Sequence, residues 1–232
     1  MPGWSCALGL LALGVAGLDA ADQAVDFLRQ VKPILEASCI RCHGADRAED
    51  NIRFETWELM AEYVTPGNSG ASSLYEVLVL PDHDRRAMPI RDRDRLGREQ
   101  IDLVRQWIDQ GARWPEGAVL ARVEKVMFSS MISLLQTNCT SCHRSGDARG
   151  GLRLDGRDHA LRGGAGGPAW VAYDSANSRL HRVLVDAQPH HRPKFLDPSD
   201  IATLATWIDQ GAVWPEDVPQ LDAGPAGRTP GR

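Results

Sequence analysis

One unit occurs twice in this chain, and that constrains its fold more than any other feature. The decapeptide WIDQGARWPE, Trp107 to Glu116, returns as WIDQGAVWPE, Trp207 to Glu216, with one difference in ten. The motifs CIRCH (Cys39 to His43) and CTSCH (Cys139 to His143) stand at the same offset of 100. Between these anchors NIRFE, Asn51 to Glu55, matches GLRLD, Gly151 to Asp155. LYEVLV from Leu74 resembles LHRVLV from Leu180, but at an offset of 106. The second copy therefore carries extra residues in its glycine-rich RGGAGGPAW stretch and loses as many further on. Self-similarity in this order implies two homologous domains, and a chain of 232 residues has room for two of ordinary size.

Each unit opens with apolar residues spaced three and four apart, the signature of an amphipathic helix. In the first these are Val25, Phe27, Leu28, Val31, Ile34 and Leu35, with a kink expected at Pro33. In the second they are Val126, Met127, Met131, Leu134 and Leu135. Each unit also closes with a helix, on Ile101, Val104, Trp107 and Ile108 and again on Ile201, Leu204, Trp207 and Ile208. Asp197-Pro198-Ser199-Asp200 supplies an N-cap, a first-turn proline and a first-turn acid. Gly111 and Gly211 suit the left-handed residue that ends a helix. Gly-, Pro- and Asp-rich loops with few strand signals lie between. The expected fold is all-α: two tandem domains, each a few helices and long loops. Loops that long are uncommon unless functional or held by a ligand, and a large apolar cofactor would complete a core short of aromatics.

The ends of the chain read differently. An apolar run from Cys6 to Leu18 has the length of a signal-peptide core and not of a span of roughly 20 residues. It lacks a preceding Lys or Arg and a clean Ala-x-Ala site. The expectation is an exported, periplasmic protein with a signal peptide at 1–21, domains at 22–117 and 118–217, a disordered tail at 218–232, and no membrane span in the mature chain. Five cysteines fit this, because four sit in the repeated motifs and Cys6 lies in the segment removed. A net charge of −5 gives nucleic-acid binding no electrostatic support.

Cys-x-x-Cys-His reads as a site of covalent c-type haem attachment. Two thiols about one helical turn apart match the two vinyl groups of a porphyrin, and the next residue offers an imidazole to the iron. Zinc would need a second pair converging on the same ion. A thioredoxin-like pair would have its helix after the motif, and a plain disulfide leaves both histidines unexplained. The cofactors expected are thus two covalently bound haems, on Cys39 and Cys42 and on Cys139 and Cys142, with His43 and His143 as proximal iron ligands.

The opposite side of each iron takes a second side chain that tunes its potential. Met88, in RRAMPIR, stands outside any apolar pattern and is the candidate in the first unit. Met60, Met127 and Met131 fall in amphipathic stretches and read as core. The second unit's loop is QPHHRPKFLD, and Arg192 aligns with Met88. Arginine keeps its proton and ligates iron poorly. His191 or His190 is the candidate there, with Lys194 and an open iron as alternatives. His83, His159 and His181 read as surface or loop residues.

The order of these motifs, from the helix entering Cys-x-x-Cys-His through GLRLD and Met-Pro to WIDQGA-x-WP, resembles the planctomycete-type cytochrome c domain, related to class I cytochromes c. The resemblance spans roughly Ala24 to Glu116 and Val123 to Glu216. It implies haem on Cys39 and Cys42 with His43 proximal and Met88 distal. It also implies haem on Cys139 and Cys142 with His143 proximal, while the missing Met-Pro leaves the second distal ligand open. The function it implies is a dihaem electron carrier more than a catalyst, passing single electrons between redox partner proteins such as a dehydrogenase or oxidase complex. The rival readings are a peroxide-type reductase with an open second haem, and a haem-based sensor or binding subunit of a larger complex.

Overall fold

In the computed structural model residues 24–91, 95–186 and 196–221 are described. The first unit contains α1 (Lys32–Ser38), α2 (Trp57–Met60), α3 (Ser73–Val79) and α4 (Arg98–Asp109). The second repeats them as α5 (Phe128–Asn138), α6 (Arg157–Arg162), α7 (Arg179–Val185) and α8 (Pro198–Asp209). A two-residue antiparallel hairpin follows α1 and another follows α5. These are β1 (His43–Gly44) with β2 (Arg47–Ala48), and β3 (His143–Arg144) with β4 (Asp147–Ala148). The described residues are rich in helix, with only two-residue strands and no barrel, roughly as the all-α expectation has it.

The opening helices differ for a reason visible in the residue count. A π-helical turn, Phe27–Val31, precedes α1, whereas α5 is α-helical throughout. Both copies are pinned at equivalent points. Phe27 packs on Trp114 at 4.5 Å between ring centroids and Phe128 on Trp214 at 4.4 Å. Cys39 and Cys139 each donate their N–H to the leucine carbonyl four back, at 2.8 Å. Twelve positions separate Phe27 from Cys39, but eleven separate Phe128 from Cys139. A π turn closes its hydrogen bonds over five residues instead of four, so it absorbs the extra residue between fixed ends. Pro33 sits in the first turn of α1, where its missing N–H leaves no bond unmade. The expected kink is thus a π-to-α junction. In the second copy Val126 and Met127 lie ahead of the helix, against expectation. Met127 is an extended N-cap residue, and the Val126 N–H bonds the Gln210 side chain at 2.8 Å.

Each unit has its own core. Val31, Ile34, Leu35, Met60, Val104, Trp107 and Ile108 pack in the first, and Phe128, Met131, Leu135, Leu154, Leu204, Trp207 and Ile208 in the second. Large side chains of this kind stabilise by about 1.5–3 kcal/mol each when fully buried. Buried tryptophans and the short helices α2, α3, α6 and α7 lie where the sequence suggested long loops. Those helices have seven residues or fewer, too few for a periodic pattern to stand out.

The repeated WIDQGA explains itself residue by residue. Trp107 and Trp207 are buried and donate their indole N–H to the carbonyls of Arg113 and Val213. Asp109 accepts from the Ser69 N–H at 2.9 Å, and Asp209 from the Ser175 N–H at 2.7 Å. Gln110 and Gln210 accept from the backbone of Val25 and Val126, tying each opening segment to its closing helix. Gly111 and Gly211 have φ of 97° and 102°. Their N–H groups reach Ile108 and Ile208, while the next alanines reach Trp107 and Trp207. That pattern is a Schellman ending, which favours glycine at this position. At the start of α8, Asp197 accepts from Ser199 and Asp200 and the Asp200 carboxylate accepts from Asp197 in return, as the sequence predicts.

Two segments beyond the expected domain ends are part of the cores. Leu120 is buried and donates to the Glu55 carbonyl at 2.8 Å. Leu221, 5% exposed, donates to the equivalent Asp155 carbonyl. The second packed unit therefore runs through Leu221, four residues into the expected tail. Among the described residues no helix is long and apolar enough to cross a membrane. The expected signal segment, residues 1–21, lies outside the described residues.

Candidate functional site

Both Cys-x-x-Cys-His motifs begin at the last turn of a helix and share one backbone geometry. Cys42 and His43 donate to the Cys39 carbonyl at 3.1 and 2.9 Å, and Cys142 and His143 to the Cys139 carbonyl at 3.1 and 3.0 Å. The chain then turns back. Phe54 donates to the His43 carbonyl at 3.0 Å and Leu154 to the His143 carbonyl at 2.8 Å, so NIRFE and GLRLD clamp the motif. The structure thus brings each cysteine pair and its histidine together on one tight turn. Among the described residues no disulfide joins the four motif cysteines. Burial pushes the Cys39 thiol up to about 12, with Lys125 opposing and Cys42 adding to the effect. Burial and then Cys142 likewise push Cys139 to about 12. Both are neutral near pH 7, unlike the thiolates that serve redox exchange or bind zinc.

The two histidines have different surroundings. The Nδ1 of His143 lies 3.3 Å from the Leu152 carbonyl. A carbonyl only accepts, so this contact selects the tautomer with the proton on Nδ1 and the lone pair on Nε2. His43 Nδ1 is buried with no hydrogen-bond partner among the described residues, and its ring packs on Phe54 at 5.2 Å. A cleft of about 100 Å³ opens beside His143, lined by Leu152, Ala169, Leu180, Val183 and glycines of the RGGAGG stretch. Arg149 and Arg179 also line it, and it is smaller than the roughly 300–1,000 Å³ of typical small-molecule sites. A larger groove of about 620 Å³ is lined by Arg41, Lys125, Met127 and Phe128 and touches neither histidine.

An ion pair on a buried carboxylate follows each motif, and in the second unit it braces the site, a role not assigned from the sequence. Asp155, with its side chain 1% exposed, accepts two bonds from Arg153 at 3.0 Å each, one from the Ser145 N–H at 2.8 Å and one from Gln220 at 3.0 Å. Burial pushes its carboxyl up, but Arg153 and the Ser145 N–H outweigh burial and hold it below the usual carboxylate range. Glu55 and Arg53 form the equivalent pair, at 2.7 and 3.0 Å, with the same net direction. The repeated Arg-x-acid within NIRFE and GLRLD was the available signal.

Met88 lies in the loop between α3 and α4, half-buried, and its N–H bonds the Val77 carbonyl of α3 at 2.8 Å. Met60 and Met131 are buried core, as expected. His190, His191, Arg192 and Lys194 lie outside the described residues. His83 is exposed, His181 contacts the Ser175 carbonyl at 3.1 Å and His159 pairs with Arg162.

Two helical units, each ending a helix in Cys-x-x-Cys-His, have the arrangement that c-type haem attachment requires. The model of the planctomycete cytochrome C family matches residues 39–92 and again 139–191, as two tandem copies. Helices α4 and α8 lie beyond the matched stretches. No curated protein and no solved structure matches the chain. Similarity to that family at both motifs points to haem binding of the electron-carrier type. The residues present fit that group, since two cysteines and the histidine that follows them meet at each tight turn, with the first cysteine buried or half-buried at the end of a helix.

Proposed function

We propose that this chain is a dihaem c-type cytochrome that passes single electrons between redox partner proteins outside the cytoplasm. The duplicated turn at Cys39–His43 and Cys139–His143 carries this reading. A covalently held haem supplies a one-electron couple at its iron. The chain's own residues hold and tune it. Cys39 and Cys42, and Cys139 and Cys142, would anchor it through their sulfurs, and His43 and His143 would offer an imidazole nitrogen to the metal. Met88 would supply the second ligand in the first unit, and His191 or His190 in the second.

The two sites are unequal in this reading. A thioether ligand gives a higher potential than a second imidazole. On the proximal side, the Leu152 carbonyl raises the basicity of His143, which stabilises the oxidised metal. Both effects place the resting electron on the first unit. A spectroelectrochemical titration of the exported protein tests this. Two one-electron steps are expected, and Met88→Ala lowers the higher one only. Two coincident steps, or a Met88→Ala variant unchanged in both, overturn the assignment.

A further inference from the structure

The two units make opposite use of one turn. Gly67 donates its N–H to the Ile108 carbonyl at 2.8 Å with φ of 82°. The equivalent residue in the second unit is Tyr173, which donates to the Ile208 carbonyl at 2.9 Å with φ of 65°. A left-handed backbone is normal for glycine but a genuine outlier for a bulky residue. Such outliers persist where the surroundings over-determine them, and they mark function. A Cβ on Gly67 would meet nothing within 4 Å, so the first unit has an open surface there. Tyr173, by contrast, packs against the core of the first unit. Its ring lies over Gly211, where a Cβ would come within 2.7 Å of the ring's Cζ and hydroxyl.

Polar contacts surround the ring on both units. The phenol bonds the side chain of Gln100 at the start of α4, and burial holds its pKa well above the ordinary range. Gln100 also donates to the Gln210 carbonyl at 3.3 Å. Asp174, the next residue, pairs with Arg29 of the first unit. Arg157 reaches Glu99 at 4.0 Å. A half-buried aromatic anchor inside a polar rim has the anatomy of an interface hot spot.

We propose that Tyr173 is a latch that docks the second unit on the first and makes them one rigid body. Taken with the dihaem reading, on which this consequence rests, the latch fixes the spacing and orientation of the two redox sites. Tyr173 is in that sense a positioning residue. An electron moving between the units then crosses a constant gap instead of waiting for two tethered domains to meet.

Tyr173→Gly in the full-length exported protein is the test, because glycine is what the first unit carries there. It keeps the N–H bond to Ile208, relieves the left-handed backbone and removes only the ring. Calorimetry of the parent is expected to show one unfolding transition, and that of Tyr173→Gly two, with a larger radius of gyration in small-angle scattering. Tyr173→Phe, which keeps the ring, is expected to retain the single transition. A single transition for Tyr173→Gly at an unchanged or higher midpoint, with an unchanged scattering profile, overturns the latch. If that variant does not accumulate, the pair Arg29→Ala with Gln100→Ala, on the other side of the contact, is judged by the same two readouts. Both readouts report the fold and not the cofactor, so a chain that carries no haem yet splits in this way retains the latch and refutes the dihaem reading.

Discussion

Replacing Asp155 with asparagine should destabilise the second unit more than replacing Glu55 with glutamine destabilises the first. Asp155 receives four hydrogen bonds, two from a guanidinium, and its side chain is 1% exposed. Asparagine keeps one acceptor oxygen but turns the other corner into a donor facing donors. Hydrogen bonds to charged groups are worth about 1.5–3 kcal/mol each. Removing one partner of a fully buried pair costs about 3–5 kcal/mol. Arg153 is 23% exposed, so water relieves part of its lost pairing, and a cost of about 3 kcal/mol follows from the lower end of that range. Arg53 is 45% exposed and the Glu55 side chain 11%, which puts that pair nearer the surface value of about 1 kcal/mol or less. Urea unfolding followed by circular dichroism, with the slope checked for constancy, reads both. Asp155→Asn within about 0.5 kcal/mol of the parent, the scale of an ordinary surface substitution, would refute the bracing role. So would a larger cost for Glu55→Gln.

Other outcomes follow from the same contacts. Asp155 and Glu55 are held below the usual carboxylate range, so their stabilisation is present at neutral pH and is lost as the pH falls below about 4. An acid titration of the two variants should flatten that loss. At the other extreme, free Cys39 and Cys139 thiols stay neutral to about 12 in the fold. Protein made without covalent attachment should therefore lose stability above about pH 9, where unfolded thiols ionise, whereas thioether-linked protein should not. Trp207→Ala should cost about 3–5 kcal/mol through the cavity it leaves, seen as a fall in the urea midpoint. A cost under about 1 kcal/mol, the centre of the range for single substitutions, would contradict the core assignment.

Much of this was legible in the sequence because it was written twice. The paired anchors located the site turn, both closing helices and their glycine endings, and the 106-residue offset correctly matched α3 to α7. What stayed hidden depended on contacts between distant segments. The extra residue between Phe27 and Cys39 shows itself only when both ends are seen pinned, and then as a π turn. Leu120 and Leu221 look like linker and tail until their N–H groups are found on Glu55 and Asp155. Tyr173 broke the repeat at a position where its partner is glycine, and nothing in its own neighbourhood reveals that its ring serves the other unit. The short helices escaped because helices of seven residues or fewer are set by packing and not by pattern.

The central claim, that each turn carries its own covalent haem, is tested most directly by counting haems. The chain is produced in a host that exports it and matures c-type cytochromes, and pyridine haemochrome absorbance and denatured mass are then measured on the same sample. Two haems per chain are predicted, falling to one when Cys39 and Cys42 are replaced by alanine and to one when Cys139 and Cys142 are. A parent chain that carries one haem or none under those conditions would contradict the account.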